Sequence, residues 1–316
     1  MTSLVARGPD GGNLLGFLSA LGALAVLDDA WTERRVRLSW TFAAVGWRPV
    51  LEAEGDLSEA DIAQTILDAC GGAARRPEFT ELGDDLSVTH SAFRDVAARA
   101  ANAATPDERR WADFIAAFGC ELPKKEKEAT IQDTALRTMS GAGHQHFLRS
   151  MRELANLATA DDVRRALFEP WRYGDERPTM RWDPVDDRRY ALRADDPAKS
   201  KSAPIRTVRG ANRLAIEALP LLPTMPRCRR VETTGFQYGG SSVGRTIRWP
   251  IWEVPSSRAT LVSLLASRDI VADPPDRDRL HAIGVAEVFA STRVTTGKIR
   301  SFTPAKALLG GTRCTL

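Results

Sequence analysis

Asn13-Leu14-Leu15-Gly16-Phe17-Leu18-Ser19-Ala20-Leu21-Gly22-Ala23-Leu24-Ala25-Val26-Leu27 is the stretch that decides the fold. Asn13 suits a helix N-cap, because its side-chain oxygen can accept from the N–H groups that a first turn leaves unpaired. The residues that follow are apolar on nearly every face, so this helix belongs in an interior. Gly16 and Gly22 leave room for another backbone to approach closely. The run is broken by Gly16, Ser19 and Gly22 and is too short to span a bilayer.

Working outward, residues 35–40 and 47–51 alternate polar and apolar side chains and predict a strand pair. Ser58-Glu59-Ala60-Asp61 predicts a helix start resembling a capping box, and helices are expected over residues 91–104, 107–118, 145–157 and 159–168. Further on, strands are expected at residues 188–193, 231–236 and 246–254, with helices at 211–219, 256–266 and 278–290. Residues 220–226 read as a rigid connector spaced by prolines. The fold class is therefore α+β: a helix-rich first half with a small strand pair, then short antiparallel strands and helices. A mainly helical domain is expected over residues 1–135 and a basic α+β region over 136–316.

Charge is divided unevenly along the chain. The whole protein carries a formal +3, yet residues 190–316 hold 20 Lys+Arg against 10 Asp+Glu. From Lys199 to Arg258 there are 11 cations and 3 acids. Concentrated positive charge among Gly, Ser, Thr and Trp is what a polyanion contact requires, and nucleic acid is the commonest polyanion. The candidate phosphate-binding residues are Lys199, Lys201, Arg206, Arg209, Arg213, Arg227, Arg229, Arg230, Arg245 and Arg248. Of Trp249 and Trp252, three apart on an expected strand, at most one could stack on a base.

Catalytic signatures are thin. Asp183, Asp186 and Asp187 could hold a divalent cation, which keeps a metal-dependent nuclease or hydrolase as the alternative. Pro184, Arg188 and Arg189 beside them read equally as a turn tied by local ion pairs. His144 and His146 are expected at a turn and helix start, not as a metal pair. No GxxxxGK[ST] or GxSxG motif occurs, and the stretch from Gly239 to Arg245 reads as a hairpin tip able to reach a phosphate. Cys70, Cys120, Cys228 and Cys314 are widely spaced, which fits unpaired thiols in a reducing cytoplasm. No catalytic residue, metal or cofactor is expected.

Three stretches carry a family resemblance. Asn13 to Leu24, Trp182-Asp183-Pro184-Val185-Asp186-Asp187-Arg188-Arg189-Tyr190-Ala191-Leu192, and Gly210-Ala211-Asn212-Arg213-Leu214-Ala215-Ile216-Glu217-Ala218-Leu219-Pro220 resemble segments of proteins from type I-G (formerly I-U) CRISPR loci. The resemblance implies a Cascade-type effector subunit in antiviral defence, large-subunit-like or accessory. Such subunits ride on a guide-RNA complex with other effector subunits, contact target DNA near the PAM, and help recruit the helicase–nuclease. Its large subunits are usually longer than 316 residues, so the exact subunit stays open. A third reading is a scaffold whose basic face meets an acidic protein partner.

Overall fold

The computed structural model describes residues 1–44, 46–123, 130–139, 146–186, 206–228, 230–238, 245–296 and 299–310. The chain begins with β1 (Thr2–Val5), α1 (Leu14–Ala30), β2 (Val36–Ala43) and β3 (Gly46–Ala53). A helical stretch follows: α2 (Glu59–Ala69), α3 (Pro77–Thr80), α4 (His90–Ala103) and α5 (Arg110–Phe118). Next come β4 (Gly119–Pro123), β5 (Ile131–Asp133), α6 (Phe147–Leu157), α7 (Ala160–Phe168) and α8 (Arg209–Glu217). The last part holds β6 (Thr224–Arg227), β7 (Arg230–Thr233), β8 (Thr246–Trp252), α9 (Arg258–Leu265), α10 (Arg268–Val271) and α11 (Arg277–Ala282). It ends in β9 (Val285–Thr296), β10 (Ile299–Phe302) and β11 (Lys306–Ala307). This is an α+β fold with antiparallel sheets.

α1 is the hub. Asn13 caps it by accepting from the Gly16 amide at 3.2 Å, and every residue from Leu14 to Leu27 is buried. Its Phe17 ring meets Trp40 of β2 at 6.1 Å and Trp249 of β8 at 5.8 Å, so the helix lies between the β1–β3–β2 sheet and the β8–β9 strands. α8 packs along it so closely that a Cβ on Gly22 would stand 1.8 Å from the Leu214 carbonyl oxygen. Residues 1–135 and 136–316 thus meet in one continuous core rather than across a seam. No helix among the described residues is long and apolar enough to cross a membrane.

Several expectations are corrected. Residues 278–290 do not form one helix: α11 stops at Ala282, Gly284 takes the left-handed φ of +84°, and the chain re-emerges as β9. Glycine enters that conformation freely, and Val285, Val288 and Phe289 then favour a strand. The connector at 220–226 is partly β6, an edge strand that pairs with β7 in register Thr224↔Thr233 and tolerates Pro226 there. The strand expected at 188–193 lies outside the described residues.

Candidate nucleic-acid interface

The expected basic residues separate into three settings. Lys199, Lys201 and Arg229 lie outside the described residues. Arg206, Arg209 and Arg213 accompany α8. Because α8 is pressed on α1, a residue on its inner face is taken into the core, and Arg213 is 3% exposed. Its Nη1 bonds Glu217 Oε1 at 2.5 Å, while Arg110 reaches the other oxygen of Glu217 at 2.5 Å and Glu78 at 2.7 Å. Burial alone would raise the Glu217 carboxyl, but Arg110 and Arg213 outweigh it and hold its pKa down at about 2. Arg213 therefore serves a buried ion-pair chain and cannot reach a phosphate. Burial, reinforced by Glu217, pushes the neighbouring Cys70 thiol up to about 11, so it stays protonated.

Arg209 faces the buried Asp162 at 3.7 Å, and its amide donates to Asp175 at 2.8 Å. Arg206 pairs with exposed Glu176 at 3.0 Å. Arg248 is the second correction. It is 6% exposed, on the β8 face opposite Arg245, and is bound to Asp273 at 3.0 Å and to the Ala272 carbonyl. Both tryptophans expected to divide between core and surface are interior. A register shift between Ile251 and Trp252 breaks the alternation of β8. Trp249 then donates to Gly11 and Trp252 to Leu38, and neither can stack on a base.

Four of the expected residues, Arg206, Arg227, Arg230 and Arg245, stay at the surface. Arg227 and Arg230 stand at the tip of the β6–β7 hairpin and share one carboxylate, Glu232, at 3.1 and 2.8 Å. One acid for two guanidiniums leaves a positive excess, and exposed pairs of this kind bind weakly. Arg230 also covers the Tyr238 ring at 5.5 Å. Arg245, exposed, precedes β8 directly.

Two further arginines join them that charge density alone did not single out. β8 pairs β9 with Thr246↔Thr292, and the Arg293 amide donates to the Arg245 carbonyl at 2.7 Å, so Arg245 and Arg293 share a sheet face. β10 pairs β9 with Arg300↔Thr295, placing Arg300 diagonally from Arg293 on that same face. The inner face of this sheet thus changes along its length from apolar, at Trp249 and Phe289, to cationic at its end. Burial, then Arg300, then Arg245 push the Arg293 guanidinium down to about 10, against the opposing pull of Asp133 and Tyr238. Asp133 is itself engaged by Arg137. A signal for these residues exists in the sequence. Residues 288–316 contain no Asp or Glu but carry Arg293, Lys298, Arg300, Lys306 and Arg313.

Of the expected acidic cluster, only the Asp183 side chain lies within the described residues. Asp183 is buried and accepts from Asn13 at 3.3 Å, Tyr173 at 3.1 Å and the Val185 amide at 2.9 Å. Burial raises its pKa despite these three donors. The Asp186 side chain and Asp187 lie outside the described residues, as do His144 and the stretch from Gly239 to Gly244. Among the described residues no group of three or more His, Cys, Asp or Glu is placed to hold a metal ion. Compared with protein-family models, curated proteins and solved structures, the chain finds no match.

Proposed function

We propose that this chain is a non-catalytic, cytoplasmic subunit of a type I CRISPR effector complex. It grips the sugar–phosphate backbone of target DNA or guide RNA with the cationic end of the β8–β9–β10 face and the adjoining β6–β7 hairpin. The observation that carries the binding role is the alignment of Arg245, Arg293 and Arg300 on one face, where burial first, then Arg300 and Arg245, lower the Arg293 pKa. Fixed like charges of this kind are relieved by an anion. The effector assignment rests on the resemblance of the three stretches quoted above, with α1 and α8 bearing two of them. In that setting guide pairing reads sequence, while this subunit helps recognise the PAM side of the target and recruit the helicase–nuclease.

The test is the salt dependence of binding to labelled single- and double-stranded DNA. Each phosphate contact removed should lower the slope of log K against log[salt] by roughly 0.7–0.9. Arg245→Gln with Arg300→Gln should therefore lose about 1.4–1.8, and Arg206→Gln should lose nothing. A slope unaltered in the double variant would overturn the assignment of the interface. Failure of the full chain to co-purify with a guide-RNA complex would overturn the effector reading.

A further inference from the structure

Beside the cationic strip a cavity of about 810 Å³ opens between the β6–β7 hairpin and the α9–α10 turn. Its walls include Met225, Tyr238, Leu265, Arg227, Arg268 and Asp273. We infer that this cavity receives a guanine base, with the Asp273 carboxylate as the group that reads it. The inference rests on the proposed nucleic-acid reading for its ligand class, because Tyr238 belongs both to the cavity and to the setting of Arg230 and Arg293.

Three observations carry it. First, Asp273 is an aimed acceptor. Buried Arg248 bonds it at 3.0 Å and the Gln237 side chain bonds it as well, yet 65% of its side chain remains exposed. A carboxylate held from behind and open in front is pre-organised to accept from a ligand. Second, the hairpin side of the cavity offers a thioether and a fixed aromatic ring among its polar residues. Met225 is 58% exposed at the cavity, and the Tyr238 hydroxyl is pinned by the Thr233 amide at 2.7 Å. Third, Arg227 and Arg268 both line the cavity, Arg227 paired with Glu232 of the same wall at 3.1 Å, so Arg268 is the cation it offers to a phosphate.

Base chemistry then selects the occupant. A carboxylate accepts through two adjacent oxygens. Guanine alone among the common bases offers two neighbouring donors, N1–H and the 2-amino group, on its Watson–Crick edge. Adenine and cytosine place an acceptor nitrogen beside their amino group, and uracil or thymine flanks its one N–H with carbonyls. Each of those directs a lone pair at one carboxylate oxygen, which is repulsive.

Two arms test the inference on the full chain. In the first, GMP, IMP and AMP are titrated against the protein by calorimetry. IMP lacks the 2-amino donor and should bind about 10-fold more weakly than GMP, as should AMP. In the second, dT9 is compared with the same strand carrying one central dG or one central deoxyinosine, and the guanine strand should bind about 10-fold tighter than either. Asp273→Asn should abolish both preferences while dT9 is still bound; because it also strips buried Arg248 of its counter-charge, its circular dichroism must match the wild type before the loss is read. Gln237→Met keeps the volume and the Asp273–Arg248 pair while removing one orienting group, and should reduce the preference without abolishing it. Equal binding of the three nucleotides together with equal binding of the three strands would overturn the guanine site and leave backbone binding standing. A preference that survives Asp273→Asn would overturn it too. Tight GMP binding with no dT9 binding would retain the pocket, with a free nucleotide as its ligand, and overturn the backbone reading instead.

Discussion

The amide of Arg293 donates to the carbonyl of Arg245 at 2.7 Å, and this one ladder bond puts the two side chains on the same sheet face, with the Arg293 guanidinium donating to the Ala135 carbonyl at 2.6 Å. A fold optimised for stability alone would place an acid at one of these positions, because like charges directly across a ladder are unfavourable. The crowding is an electrostatic cost to the fold.

That cost is measurable. Arg245→Gln removes one of the neighbours that depress Arg293. We expect the variant to gain about 0.5 kcal/mol, or roughly 1–2 °C in Tm, while losing nucleic-acid affinity. Stability and binding should move in opposite directions, as they do where a site is strained for function. Added polyanion should raise the Tm of the wild type more than that of the variant. Loss of stability in Arg245→Gln would show that Arg245 is a structural partner and not part of an anion site.

The Arg110–Glu217–Arg213 chain predicts acid sensitivity. Glu217 has a folded pKa of about 2 against an ordinary 4.5. A depressed carboxylate contributes stability that is complete above the unfolded value and is lost as pH falls through the folded one. Urea midpoints should therefore decline between pH 4.5 and 2, with a Glu217 share on the order of 3 kcal/mol. Glu217→Gln should flatten that part of the profile and cost about 3–5 kcal/mol at neutral pH, because Arg213 is left buried without a counter-charge. Replacing Arg213 and Glu217 together by Leu should recover most of the loss. A profile that is the same in Glu217→Gln and wild type would refute the assignment.

Asp183 predicts a structural phenotype instead of a catalytic one. Its carboxylate is filled by Asn13, Tyr173 and the Val185 amide. Asp183→Ala should destabilise by about 1–3 kcal/mol, because buried donors lose their acceptor. Incubation of the wild type with labelled DNA or RNA and Mg²⁺ or Mn²⁺ should yield no cleavage. Cleavage that Asp183→Ala abolishes at full fold would reinstate the nuclease reading.

How much of this was legible depended on whether the deciding interaction was local. The buried helix α1 was readable because Asn13 and the apolar run are adjacent in the chain. The capping box at Thr159 and Asp162 was readable for the same reason. By contrast, the burial of Arg213 is decided by the packing of α8 on the distant α1, and Arg248 is tied to Asp273 of a later turn. High local charge could not separate core arginines from surface ones. β9 was misread because Arg277–Ala282 do form a helix, and the chain turns at Gly284 just beyond it. The acid-free tail carries Arg293 and Arg300, but only strand register places Arg245 on their face.

The closest approach in the core supplies the last prediction. Glycine-to-alanine changes in exposed helices gain up to about 1 kcal/mol, since alanine is the better helix former. At Gly22 the sign should reverse. The added methyl would lie 1.8 Å from the Leu214 oxygen and 2.7 Å from its carbonyl carbon, both backbone atoms. α8 would have to retreat by more than an ångström, opening the core on which Phe17, Trp40 and Trp252 depend. We expect Gly22→Ala to lose about 1–3 kcal/mol by urea unfolding, the usual penalty of overpacking. Gly174 is the control, for nothing lies within 4 Å of its added methyl, and Gly174→Ala should be neutral or slightly stabilising. If Gly22→Ala is as stable as the wild type, α1 and α8 cannot be in this contact, and the burial of Arg213 that follows from it fails as well.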